Sequence, residues 1–188
     1  MIELIRYLYW DMSSHWKRDE YVATLLRNVP GDAGMYLRRT WYTRKFRRAG
    51  RNLSIFAGAT ILNPDKVECG DNINIGFFDY IQAGGRVVFG DNVLLGPYVK
   101  IWSQSHNFSD PLAPVSRQGS AFEPVFIGND VWIGANAFIM PGAVIGDRCV
   151  ISASSVVGRK EYPEGTILAG YPARKIGERT YENPGPGK

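Results

Sequence analysis

From Ile127 to Val157 the chain repeats with a period of six. Ile127, Ile133, Ile139, Ile145, Ile151 and Val157 stand six apart, and four places after each of the first five come Val131, Ala137, Ala143, Cys149 and Ser155. A helical face returns every three or four residues and a half-buried strand every second, so neither element accounts for this pattern. A strict six, with glycine or another small residue behind many of the aliphatics, predicts a parallel β-helix of hexapeptides. The 21 glycines and 11 prolines among 188 residues suit a chain that turns constantly.

Upstream the period continues in weaker form. Ala57, Asn63, Cys69, Ile75 and Ile81 take the first position, and Ile61, Val67 and Ile73 the fifth. An eight-residue step across Gly84-Gly85 reads as a widened corner, after which Phe89, Leu95 and Ile101 resume the first position with Val93 and Val99 in the fifth. Residues 103–124 lack the pattern. Each coil stabilises only its neighbours, so an insertion of this length must be expelled to one side, and such loops usually carry function. About 13 or 14 hexapeptides, at three per triangular coil, make four to five coils. The expected organisation is a helical basic segment over 1–52, a β-helix over 53–177 with its excursion loop at 103–124, and a tail over 178–188 whose ENPGPGK end has a disordered composition.

The first segment reads as three helices. Met1, Ile5, Leu8 and Met12 share one face, and Val22, Leu25, Leu26 and Val29 share another after the acidic pair Asp19 and Glu20, which suits a helix start. A third helix over roughly 34–48 carries Leu37 and Trp41 beside Arg38, Arg39, Arg44, Lys45, Arg47 and Arg48, with Gly50 to end it. Residues 1–54 hold 11 Lys and Arg against 5 Asp and Glu, whereas the rest of the chain holds 11 against 13. Two readings fit this basic, aromatic segment: a cap over the open end of the β-helix, or a patch that rests on an anionic membrane surface. Nucleic acid is not an expected partner, since no recognition motif accompanies the charge. The N-terminus lacks the features of a secretory signal, and no run of about 18 apolar residues occurs. A cytoplasmic protein, peripheral at the inner membrane face under the second reading, is the expectation. Cys69 and Cys149 both occupy repeat positions, which predicts buried free thiols rather than a disulfide or a metal site.

Chemistry is concentrated at the loop. Of the two histidines, His15 lies beside Trp16 in the helical segment and reads as structural or surface. His106 stands where the repeat gives way to the loop, in SQSHNF. Zinc requires three or more ligands, which two distant histidines do not supply, so no metal is expected. Asp110 and Glu123 are the carboxylates placed to orient an imidazole there, and either also serves as an ordinary loop charge. Asp79 breaks the small, apolar rule of the fifth position, which marks it for function rather than packing.

The run IGNDVWIGANAFIMPGAVIGDRCVISASSVV, followed by ILAGYPARKI, resembles the hexapeptide-repeat acyltransferases with the left-handed β-helix, in particular their sugar O-acetyltransferase branch. That branch includes maltose and galactoside acetyltransferases and enzymes that acetylate surface polysaccharides. PGDAGMYLRR before RAGRNLSIFAGATILNPDKVECGDN looks more like the polysaccharide-biosynthesis members. The resemblance implies a left-handed coil, a homotrimer with active sites in the clefts between prisms, acetyl-CoA as co-substrate without a metal, and a saccharide acceptor. His106 falls at the place of the catalytic base. Transfer from a thioester to a hydroxyl requires removal of the hydroxyl proton, and an imidazole, with an ordinary pKa near 6.5, suits that task. Glu123 is slightly favoured over Asp110 to orient it. Trp132, Ala135 and Ala153 fall along the pantetheine arm, and Arg159, Lys160 and Arg174 near the CoA phosphates. GRKEYP is one residue longer than the usual turn, which leaves Arg159 and Lys160 as alternatives for one position. Asp79, Tyr80 and Gln82, with Phe77 and Phe78, fall where the acceptor is held. N-acetylation of an amino sugar or an antibiotic is the alternative chemistry. A structural β-helix scaffold is the alternative without catalysis, but it gives no reason for a histidine-bearing loop.

Overall fold

The computed structural model describes residues 2–180, so Met1 and the ENPGPGK tail lie outside the described residues. Short strands climb a triangular prism. The first face holds Val67–Cys69, Val87–Phe89, Val125–Ile127, Val144–Ile145 and Glu161–Tyr162. The second holds Ser54–Ile55, Asn74–Ile75, Leu94–Leu95, Trp132–Ile133, Val150–Ile151 and Thr166–Gly170, closed by an antiparallel strand Ala173–Glu178. The third holds Thr60–Leu62, Tyr80–Gln82, Lys100–Trp102, Phe138–Ile139 and Val156–Val157. Aliphatic side chains from all three faces stack inside with Cys69 and Cys149, which are buried free thiols.

Faces of five, six and five parallel strands make more than five turns, against the four to five expected from the sequence. The excess is the two strands past Val157, Glu161–Tyr162 and Thr166–Gly170, which pair onto the coil after the six-residue pattern has ended. The spacing also changes at the corner between the third and first faces. Early coils advance 20 residues per turn, as in the pairing of Ser54 with Asn74 and Thr60 with Tyr80. Later ones advance 18, as in the pairing of Trp132 with Val150. The eight-residue step therefore occurs twice, from Ile61 to Cys69 as well as from Ile81 to Phe89. This moves the early register by two: Ile55 and Ile61 are the buried first positions, while Ala57 and Asn63 are turn residues that are not buried. The 103–124 loop leaves from this same corner one coil later, so the widened corners lie in line beneath its root.

The corner between the first and second faces is closed by a side-chain ladder. The carboxylate or amide of Asp71, Asp91, Asn129 and Asp147 accepts the backbone N–H of Arg51, Asp71, Asp91 and Asn129 respectively, each one coil earlier, at 2.7–2.8 Å. One oxygen per coil thus satisfies a turn N–H that would otherwise face water.

Three helices precede the first coil, α1 (Ile2–Ser13), α2 (His15–Arg27) and α3 (Gly31–Thr43), of which α3 packs against the first strand and α2 against α3. The second begins before Asp19 and Glu20 rather than at them, and the third starts at Gly31 and ends at Thr43, ahead of Gly50. Tyr42 and Phe46 carry α3 and its exit into the core. Arg38, 2% exposed, reaches from α3 to four backbone carbonyls: Ile55 in the first coil and Leu26, Arg27 and Val29 at the end of α2. A cation at the negative end of a helix is stabilising there. Helix α1 is different, since Leu4, Ile5, Leu8, Met12, Tyr7, Tyr9 and Trp10 all remain 41–73% exposed.

Candidate active site

His106 stands on an arm with structure of its own. Gln104–His106 pairs antiparallel with Ser120–Phe122, His106 lying opposite Ser120, so the expected irregular loop has a β-ribbon at its base. The neck beneath is fixed by Ser103, which is fully buried. Its Oγ donates to the Gln82 carbonyl and accepts from the Gly85 N–H, both at 2.9 Å, while its own carbonyl accepts the Glu123 N–H. Gly85 is required here, because a Cβ would stand 2.1 Å from the Ser103 carbonyl oxygen. The exposed imidazole is thereby held three residues from a rigid point.

Neither candidate carboxylate bonds that imidazole. Asp110 accepts the N–H of Leu112 and, with Gln118 bridging back to its carbonyl, shapes the loop tip. Glu123 pairs with Arg159 at 2.8 Å, beside Gly142. The orienting role expected of them is not formed within one chain.

The corner between the second and third faces differs from the laddered one. Ala135 and Ala153 occupy, one coil apart, the turn position that Asp71, Asp91, Asn129 and Asp147 fill on the laddered corner. A methyl group caps nothing. Among the described residues the N–H groups of Ala135 and Ala153 donate to no partner, and both residues are exposed. A row of open amide donors spaced by one coil fits the amide-bearing arm of a pantetheine. Trp132, half exposed on the second face, stands beside this corner, and Arg174 lies opposite Ala169 on the closing hairpin of that face. Arg159 and Lys160 do not join them. They turn the other corner, where Arg159 holds Glu123 and the Lys160 ammonium lies 5.6 Å from the Tyr162 ring centre. The expected donor residues are thus split between two corners, and the whole third face lies between.

Asp79 is a correction. It is 1% exposed and points into the coil, where its two oxygens accept the N–H groups of Gly76 at 2.6 Å and Val99 at 2.8 Å. Burial pushes its carboxyl up to about 7, opposed by those two bonds. It braces the corner from inside and does not face an acceptor. Tyr80 and Gln82 do point outward on the third face, Tyr80 against the Trp102 ring and Gln82 onto the Gly84 N–H. Sequence reasoning missed Ser103, whose mark was a polar residue at the last regular position before the loop.

The family described as "Bacterial transferase hexapeptide (six repeats)" matches residues 124–159. The putative lipopolysaccharide biosynthesis O-acetyl transferase WbbJ of Escherichia coli is 30% identical over 134 residues, which are 71% of this chain and 68% of that protein. The chain belongs to the hexapeptide-repeat transferase family. Galactoside O-acetyltransferase of Escherichia coli is 38% identical to this chain over 116 residues. The chain spans about half of that enzyme, 55% of its length, in an alignment covering 58% of its own. A solved galactoside acetyltransferase in complex with coenzyme A superposes with a TM-score of 0.77 at 29% identity, over 86% of this chain and 78% of that one. The coil of this chain is the left-handed β-helix of the family.

Proposed function

We propose that this hexapeptide transferase moves an acetyl group from acetyl-CoA to a saccharide hydroxyl, with His106 as general base. The observation that carries the reading is the pairing of a histidine on a braced arm with a corner whose amide donors are left open. The named relatives act in the same sense: WbbJ is a putative lipopolysaccharide biosynthesis O-acetyl transferase, and the solved enzyme holds coenzyme A. The imidazole takes the acceptor proton as oxygen attacks the thioester carbonyl. Because the thioester is already activated, no side-chain nucleophile is needed, and the remaining acceleration comes from holding both substrates in register. Release of CoA thiol, followed against a panel of saccharides, tests this directly; no release above the acceptor-free rate with any of them would refute it.

The split between corners supports a homotrimer. Ala135 and Ala153 stand at one edge of the third face, and His106, Glu123 and Arg159 at the other. A cleft between two copies brings the donor corner of one against the histidine arm of the next and completes the site.

Replacing Ala153 with aspartate tests the open donor row. The new carboxylate would cap the Ala135 N–H as Asp147 caps that of Asn129. The expected result is a rise in KM for acetyl-CoA of about tenfold or more, from one lost hydrogen bond and an added negative charge, with an unchanged or higher melting temperature. An unaltered KM would remove this corner from the donor site.

Helix α1 supports a peripheral membrane contact. Its exposed Leu4, Ile5, Leu8 and Met12 adjoin Tyr9 and Trp10, and the segment behind it is rich in arginine. Each Lys or Arg at an anionic surface contributes about 1 kcal/mol, and aromatic residues settle at the interface. The chain should sediment with phosphatidylglycerol-containing vesicles at low salt and release at high salt. A chain that stays in the supernatant at low salt would refute the contact. Among the described residues no helix is long and apolar enough to cross a membrane.

A further inference from the structure

Two residues on the open corner adopt a backbone that their side chains disfavour. The third place of that turn is taken by Gly58, Phe78, Tyr98, Asn136 and Ser154, all with φ between +58° and +81°. Glycine adopts this region freely and asparagine at small cost, whereas a bulky ring there is strained. At the laddered corner the same place holds Asn52, Asn72, Asn92, Asp130 and Arg148, with no ring among them. Strain of this kind persists where the surroundings impose it and clusters at ligand sites.

Phe78 and Tyr98 use it to lay their rings flat on one another, 5.1 Å between centres and 10° between planes. Gly58 makes room below, since a Cβ there would stand 2.2 Å from the Phe78 ring. The stack stops at Tyr98, because the next residue in the row is Asn136, which has no ring. Both rings remain about half exposed, 51% and 52%. Beside the last ring sits a polar rim: Lys100 Nζ donates to Asn136 Oδ1 at 2.8 Å and to the Tyr98 carbonyl at 3.2 Å. Asn136 directly follows Ala135, so the platform continues the line of open amides along the same corner.

An aromatic floor with an amine and an amide at its edge matches a sugar ring, whose C–H face is apolar and whose rim is hydroxylated. We propose that the Tyr98–Phe78 stack, rimmed by Lys100 and Asn136, is the floor of the acceptor subsite and selects a pyranose that presents an apolar C–H face. This rests on the acetyltransferase reading for its chemistry, though not for its binding. It also places the acceptor on the corner where the donor arm ends and explains the cost in backbone strain.

The test uses Tyr98→Asn, which repeats the residue found at 136 and relieves the strained backbone. The probes are methyl β-D-galactopyranoside, methyl α-L-rhamnopyranoside and, as a polyol without a ring face, sorbitol. Saturating the aromatic protons of the wild-type protein should transfer signal to the ring C–H protons of a pyranoside and not to sorbitol. Tyr98→Asn should lose that transfer and melt no lower than wild type. Its KM for a pyranoside acceptor should rise roughly 3- to 10-fold while its KM for acetyl-CoA stays unchanged. Transfer that survives in the variant, absence of transfer to either pyranoside in the wild type, or a variant that melts several degrees lower would overturn the proposal, the last because the stack would then be packing. If the transfer behaves as expected but no acceptor releases CoA thiol, the subsite stands and the acetyltransferase reading falls.

Discussion

Replacing His106 with alanine is expected to lower turnover roughly 10²- to 10⁴-fold, the usual worth of a general base. The loss should appear in kcat, with the KM values for acetyl-CoA and acceptor changed little, because the imidazole contributes when the proton moves rather than when the substrates bind. The fold should survive. His106 is exposed, and its place on the arm is held by backbone pairing with Ser120 and by the Ser103 neck, neither of which needs the imidazole. Thiol release under saturating substrates, with a thermal melt as control, reads both quantities. A variant that turns over at the wild-type rate would remove His106 from the chemistry and leave the arm as a structural excursion.

What the sequence disclosed follows from the spacing of its repeats. Ile127 to Val157 advances by sixes without interruption, so its period alone identified the coil. The first coil reads two residues out of register in the sequence, because the step from Ile61 to Cys69 hides inside a plausible run of sixes, and only the stacking of Ile55 on Ile75 resolves it. Asp79 illustrates a different limit. A carboxylate at a core position signals function or bracing equally well, and the direction of its side chain decides between them. The loop histidine was legible, since it is tied to a visible break in the pattern. The ladder of Asp71, Asp91, Asn129 and Asp147 was not, because its members are 18 to 38 residues apart and become neighbours only when the coil closes. The open row at Ala135 and Ala153 acquires its meaning only beside that ladder.

Replacing Arg38 with methionine should destabilise the chain by about 3–5 kcal/mol, the cost of leaving several buried carbonyls without their donor at about 1–3 kcal/mol each. Methionine keeps much of the volume but donates no hydrogen bond, so the carbonyls of Leu26, Val29 and Ile55 lose the donor that now reaches each at 2.7–3.0 Å. Gly34 belongs to the same arrangement, since a Cβ there would stand 1.9 Å from the Val29 oxygen. For a chain of this size the expected fall in melting temperature is about 10 °C or more. The loss should begin at the helices. Arg38 joins α2 and α3 to the first coil, whereas the later coils are held by their own stacked aliphatics and by the laddered corner. Hydrogen exchange should therefore quicken first over residues 15–43, and the amides of 125–157 should keep their protection until the global transition. Uniform loss of protection along the whole prism would instead mean that the helical cap and the coil unfold as one unit, and that the cap is needed to keep the first exposed strand edge closed.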